Sequence, residues 1–220
     1  FTDSVIIYRK NIRYIPYLKE IDFKKDQTNE FLINKEKFYV ITGGLGGIGS
    51  EIAGFLLEKF SVKLLLLGRT PLNEFSEDKK KILNSLKSLG KEVIYQDIDI
   101  TDQLKLKSIF EQSKKTFNTS TINGIFHLAG MRDQKLLKDE TKKSMFNQIN
   151  AKVIGAFALY DLIKDDKKTL FINFSSVNGF FGGVNAALYS AANSSLESLT
   201  NHMRNDGLSN SYCLNWSMWN

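Results

Sequence analysis

A chain of 220 residues, 42% hydrophobic and 25% charged, is long enough for one well-buried core and has the composition of a globular protein, which excludes a disordered chain. Its longest apolar runs are too short to span a bilayer. The formal net charge of +6 is spread along the whole length rather than gathered with aromatics into one stripe, which argues against a nucleic-acid footprint; most of it reads as solvated surface, and the phosphates of a dinucleotide or an acidic carrier protein are the partners it would suit.

In chain order, the first residues carry no signal-peptide layout and no initiating methionine, so the sequence reads as cut from something longer. Val5–Tyr8 and Ile12–Ile15 form an expected extended pair joined by a polar turn at Arg9-Lys10-Asn11, and a charged linker follows over Lys24–Lys37. Residues 1–36 are therefore expected as one unit and 37–220 as a second. From there short apolar runs alternate with amphipathic stretches. The expected succession is strand Phe38–Thr42, helix Gly47–Phe60, strand Lys63–Gly68, helix Glu77–Leu89, strand Glu92–Ile98 and helix Gln103–Phe117. Strand Gly124–Leu128, helix Thr141–Ile163, strand Thr169–Ser175, helix Leu188–Arg204 and strand Ser211–Asn215 complete it. Near-continuous apolar strands separated by helices predict βαβ units, hence an α/β, doubly wound, Rossmann-type parallel sheet that binds ligands beyond the carboxyl ends of its strands. The sequence stops directly after a strand, so both ends read as truncated. One cysteine, Cys213, leaves no internal disulfide framework and fits the reducing cytoplasm.

The strongest local motif is Thr42-Gly43-Gly44-Leu45-Gly46-Gly47-Ile48-Gly49, which closes a strand and opens a helix. Glycines allow a tight turn and close backbone approach to a pyrophosphate, and the helix N-terminus adds positive potential. The next strand ends in Gly68-Arg69-Thr70. A guanidinium there pairs with a 2′-phosphate, whereas a carboxylate would accept from a free 2′-hydroxyl, so NADPH is expected over NADH. The third strand closes in Asp97-Ile98-Asp99-Ile100, where Asp99 is placed to accept from an adenine amino group or else to begin the helix that follows.

Ser176, Tyr189 and Asn193 lie close together in sequence, with Lys152 upstream. Tyr189 and Asn193 stand one turn apart on an expected helix face. Hydride addition to a ketone builds charge on the carbonyl oxygen, and the site then needs a proton donor and a hydrogen-bond donor. A tyrosine gives the proton when an ammonium stabilises the phenolate it leaves; Lys152 would supply that charge, and Ser176 would orient the oxygen. Singly, each residue has a plain structural explanation as a cap, a half-buried ring or a solvated cation.

At these residues the chain resembles the short-chain dehydrogenase/reductase superfamily, and within it the ketoreductase domains of modular polyketide synthases. Ordinary superfamily members place lysine four residues after the tyrosine and asparagine on the preceding long helix. Here Asn193 follows Tyr189, and Lys152 holds the helix position in Ile149-Asn150-Ala151-Lys152-Val153-Ile154-Gly155, an exchange characteristic of synthase ketoreductases. Further matches are Gly124-Ile125-Phe126-His127-Leu128-Ala129-Gly130, Phe174-Ser175-Ser176-Val177 and Asn215-Trp216-Ser217-Met218-Trp219.

The resemblance spans residues 38–219, and the leading hairpin is similar to the tail of that family's cofactor-free structural subdomain. It implies NADPH as cofactor, with Ile100, Ala129 and Gly130 facing it beside the glycine turn, Arg69 and Asp99. It implies a carrier protein bearing a phosphopantetheine-bound ketoacyl thioester as partner, neighbouring synthase domains, and a lid helix after the final strand. The family's stereochemical markers are mixed: Arg132-Asp133-Gln134 replaces the Leu-Asp-Asp loop of D-setting members, Phe181 stands where the opposite type often has tryptophan, and Ala186 matches neither marker. On balance they favour the L-configured product. The stretch Ser175–Gly183 and the Trp216–Trp219 ending are similar to ketoreductases of nonribosomal depsipeptide synthetases, which reduce α-keto rather than β-keto thioesters. The competing readings are a catalytically silent structural domain, which would show no saturable NADPH binding, and a free-standing reductase of a soluble metabolite.

Overall fold

A computed structural model of the chain describes residues 6–15, 17, 19–20, 32–90, 92–131, 133 and 135–217. The chain divides into two compact units, residues 1–31 and 32–220. In the first, β1 (Ile7–Arg9) pairs antiparallel with β2 (Ile12–Tyr14), Ile7 opposite Tyr14. Lys10 and Asn11 turn the chain at φ 50° and 63°, the two positive values of a mirror-image two-residue hairpin turn. Arg9, expected in the turn, is a strand residue opposite Ile12. Val5 and residues 24–31 of the expected linker lie outside the described residues.

The second unit runs β3 (Phe38–Thr42), α1 (Gly47–Phe60), β4 (Lys63–Gly68), α2 (Glu77–Leu89), β5 (Val93–Asp97), α3 (Gln103–Thr116) and β6 (Gly124–His127). It continues through α4 (Lys142–Ile149), a π turn (Asn150–Ile154), α5 (Gly155–Ile163), β7 (Leu170–Ser176), α6 (Asn178–Phe181), α7 (Ala187–Asn205) and β8 (Ser211–Trp216). Six strands make one parallel sheet in the order β5-β4-β3-β6-β7-β8, the doubly wound fold expected from the alternation of runs. Strand order reverses between β3 and β6, whose last residues Thr42 and His127 are paired, so the crevice beyond these two ends is the fold's binding position.

Each central strand is buried on both faces because successive side chains point to opposite sides. Leu65 and Leu67 join Val40, Ile125 and Phe171 in the core beneath α3, α5 and α7, whereas Leu64 and Leu66 join Tyr39, Ile41 and Phe126 beneath α1 and α2. Among the described residues no helix is long and apolar enough to cross a membrane.

The expected helix Thr141–Ile163 is not continuous. It is split by the π turn, whose widened ring is closed by Gly155 N–H donating to Asn150 O. A Cβ on Gly155 would run into the end of the Ile100 side chain, which would have to move for a larger residue to keep the widened turn against β5's trailing loop. The four-residue α6 has no counterpart among the expected elements. In the second unit the other expected elements appear with ends shifted by one residue at most, while β1 of the first unit starts two residues later than expected, at Ile7.

Candidate active site

The glycine turn leaves β3 at Thr42 and enters α1. Gly43 adopts φ +72°, and Gly46 N–H donates to its carbonyl at 2.9 Å. A Cβ on Gly49 would strike that same carbonyl oxygen and lie 2.9 Å from Gly44 Cα, whereas one on Gly47 would meet nothing. Gly49 therefore permits the turn to close, and Gly47 leaves its outer face open. Leu45 packs in the core and Ile48 against it, and both also border the space beside the turn. The N-terminus of α1 has no side-chain cap and no acidic residue in its first turn, so its backbone N–H groups face outward bare, as a phosphate cradle requires.

On one side of this turn a cavity of about 370 Å³ is lined by Arg69, Thr70, Lys79, Asp99, Ile100, Ala129 and Gly130 together with Gly43, Leu45 and Gly46. Asp99 accepts from Thr101 N–H at 3.0 Å and Thr101 Oγ1–H at 2.7 Å. These bonds, with the Arg69 guanidinium nearby, hold its carboxyl below the usual range. One oxygen of Asp99 thus orders the start of the loop into α3, the structural role weighed from sequence, and the residue also borders the cavity.

Lys79 escaped the sequence reading. Its Nζ donates to Thr70 Oγ1 at 2.9 Å, bringing a second cation to the wall that holds Arg69. Its signal is a lysine in the first turn of a helix, where the macrodipole favours acids.

On the other side a cavity of about 880 Å³ is lined by Gly46, Gly47, Ile48 and Gly49 and by Lys152, Ser176, Tyr189 and Trp216. The two cavities share Gly43, Gly46, Leu128 and Gly130 in their walls. Two spaces meeting over the glycine turn have the layout that the two halves of a dinucleotide need, and Arg69 stands in the wall of the smaller one.

Lys152 is buried, and Nζ donates to Phe174 O at 3.0 Å and stands 5.7 Å from the centroid of the Tyr189 ring. Burial pushes its ammonium down to about 8. Gly130 lies against the Lys152 side chain, where a Cβ would make ordinary van der Waals contact with it, and it faces both cavities. Ser176 ends β7, and its Oγ accepts from Asn178 N–H at 3.2 Å, which leaves its hydroxyl proton to donate into the cavity.

Lys152, Ser176 and Tyr189 thus converge on one space. Asn193 does not line it. Its side chain is fully buried against the helix, with Nδ2 donating to Tyr189 O at 2.7 Å and Oδ1 without a protein partner. The helix turns the asparagine inward, and its amide supports the backbone carbonyl of Tyr189 one turn before it. Burial also pushes the Cys213 thiol up to about 11, which keeps it protonated. Of the marker residues, Arg132 and Gln134 lie outside the described residues, as do Met218 and Trp219.

The KR domain model matches residues 38–220. The chain is 26% identical over 218 residues to "Polyketide synthase PksM" of Bacillus subtilis (strain 168), which covers 99% of this chain and 5% of that protein. Among solved structures it is 32% identical, with a TM-score of 0.88, to the "Adenylation, ketoreductase, and pseudo Asub multidomain structure of a keto acid-selecting NRPS module", over 97% of this chain and 18% of that one. It is 29% identical, with a TM-score of 0.86, to a ketoreductase domain from the bacillaene assembly line, over 99% of this chain and 51% of that one. The chain thus spans a small part of the length of the synthase it matches.

Proposed function

The chain belongs to the KR domain family, and from that premise we propose that it is an NADPH-dependent ketoreductase acting on a ketoacyl thioester tethered to a carrier protein. The observation that carries this reading is the meeting of Lys152, Ser176 and Tyr189 in one cavity whose wall includes the glycine turn. When bound, the reduced nicotinamide supplies a hydride to the carbonyl carbon. Ser176 donates a hydrogen bond to the carbonyl oxygen and orients it. Tyr189 gives its phenolic proton to that oxygen, so the C=O π bond is replaced by one C–H and one O–H bond on a remaining C–O single bond, and the Lys152 ammonium stabilises the phenolate left behind. Catalytic roles are proposed for these three; Asn193 holds the turn that carries Tyr189.

The preference for NADPH is supported by Arg69 in the smaller cavity, with Lys79 on the same wall. A charged, bidentate contact is worth about 1.5–3 kcal/mol, or roughly 10–100-fold in affinity. Arg69→Gln is therefore expected to weaken NADPH binding by about that factor while changing NADH binding little, as read by fluorescence titration of both cofactors.

Carrier-bound substrate and neighbouring synthase domains are supported by the multidomain setting named for the relatives. Similarity to the keto acid-selecting module favours an α-ketoacyl thioester as a second reading, because that likeness is as strong in identity and TM-score as the one to the bacillaene ketoreductase. The test is NADPH oxidation with paired α- and β-keto N-acetylcysteamine thioesters. Turnover of either supports the reductase and selects its substrate class; no NADPH binding and no turnover of either overturns it.

A further inference from the structure

His127 has no part in the chemistry just proposed, although it lies at the meeting point of the strands that position the site. It is fully buried and borders neither cavity. Both ring nitrogens are engaged, Nδ1 at 2.8 Å from Thr42 Oγ1 and Nε2 at 2.8 Å from the backbone oxygen of Lys152. The Thr42 hydroxyl also accepts from Ala129 N–H at 3.0 Å and keeps a proton to give to Nδ1 when that nitrogen is the ring's acceptor. The Lys152 carbonyl can only accept, so Nε2 carries the ring proton and donates it there. Burial pushes the imidazole down to about 4, which keeps the ring neutral and this tautomer fixed at pH 7.

The carbonyl that His127 reaches belongs to the π turn Asn150–Ile154. A widened turn interrupts the regular ladder of a helix, and its carbonyls need donors from elsewhere. Lys152 is therefore held at both ends, its carbonyl by β6 through His127 and its ammonium by β7 through Phe174 O. The titratable groups facing it are Tyr189 on α7, Cys213 on β8 and His127 itself.

We infer that His127 is a positioning residue, which fixes the π turn through the Lys152 carbonyl and so sets where the Lys152 ammonium stands beneath Tyr189. The kinetic consequence rests on the reductase reading; the placement of the ammonium does not. The test compares His127→Gln with His127→Asn. The glutamine amide nitrogen extends as far as Nε2 and can restore the bond to Lys152, whereas asparagine extends only as far as Nδ1.

In the asparagine variant turnover is expected to fall about 10–100-fold with little change in KM for NADPH. The Lys152 titration, followed by NMR in protein labelled at the lysine ε-carbon, should rise by about one pH unit or more as the ammonium gains solvent. The glutamine variant should recover most of both properties. Equal behaviour of the two variants in both measurements overturns the inference. Ring 15N spectra of the unaltered chain give a check that needs no variant: the Nε2–H tautomer at pH 7 is expected, and the Nδ1–H tautomer refutes the bond. A chain that turns over no ketoacyl thioester fails the reductase reading, while the lysine titration and the ring tautomer still decide the role of His127.

Discussion

Tyr189→Phe is expected to lower turnover of a ketoacyl thioester by about 10²–10⁴-fold, the range that a positioned proton donor contributes, while NADPH still binds. The substitution removes one oxygen and keeps the ring. The Lys152 ammonium, 5.7 Å from that ring's centroid, keeps its neighbour, and the bond from Asn193 Nδ2 goes to the Tyr189 backbone oxygen, which the change leaves untouched. Loss of kcat with an intact fluorescence titration by NADPH therefore assigns the phenolic proton to the chemical step. A variant that kept turnover within tenfold would move that role to another donor, and Ser176 is the remaining hydroxyl among the converging residues.

Lys152→Met is expected to separate activity from stability. Turnover should fall by about 100-fold or more, because the phenolate formed at Tyr189 loses its counter-charge. The fold should be no weaker, since a buried ammonium with few partners is a cost that an apolar chain of similar size removes. Its pH signature follows from the shift of Lys152 from 10.5 to about 8. Between those values the unfolded chain holds more protons than the folded one, so stability rises with pH across the window. Below about pH 8 the full cost of burying the charge is present, roughly 3 kcal/mol at 1.36 kcal/mol per pH unit, and above 10.5 it is gone. The gain of the methionine variant over the unaltered chain, measured by denaturant unfolding from pH 7 to 10.5, should therefore shrink steadily. A gain that stays constant over that range would mean that the ammonium is not buried as a charge.

Much of this fold is legible in the chain because its signals are local. Leu64-Leu65-Leu66-Leu67 reads as a strand covered on both faces, and those leucines do divide alternately between two cores. The strand, glycine turn and helix of Phe38–Phe60 are visible because each element is specified by its own neighbours: apolar periodicity on either side, and glycines where a Cβ would collide. The break in the helix after Ile149 is not visible. One extra residue in one turn barely disturbs a helical period, and the reason that the turn is tolerated, the space for Gly155 beside Ile100, depends on a residue far away in sequence. The four-residue α6 is too short for any period to show. His127 was singled out within a motif, but its role depends on Thr42 and Lys152, which lie 85 and 25 residues away.

The candidate site residues divide in the same way. Lys152, Ser176, Tyr189 and Asn193 can be picked out by type, order and family resemblance, yet neither type nor order says which of them share a space. Periodicity and turn chemistry are contained in short stretches, so the sequence alone determined the alternation of strands and helices, the glycine turn and the cation that follows β4. Which side chains meet is decided by how β3, β6 and β7 align and by the π turn they hold in place. That is why only the tertiary structure turned Asn193 into the helix, brought Lys79 to the wall beside Arg69, and set the Lys152 ammonium beneath the ring of Tyr189.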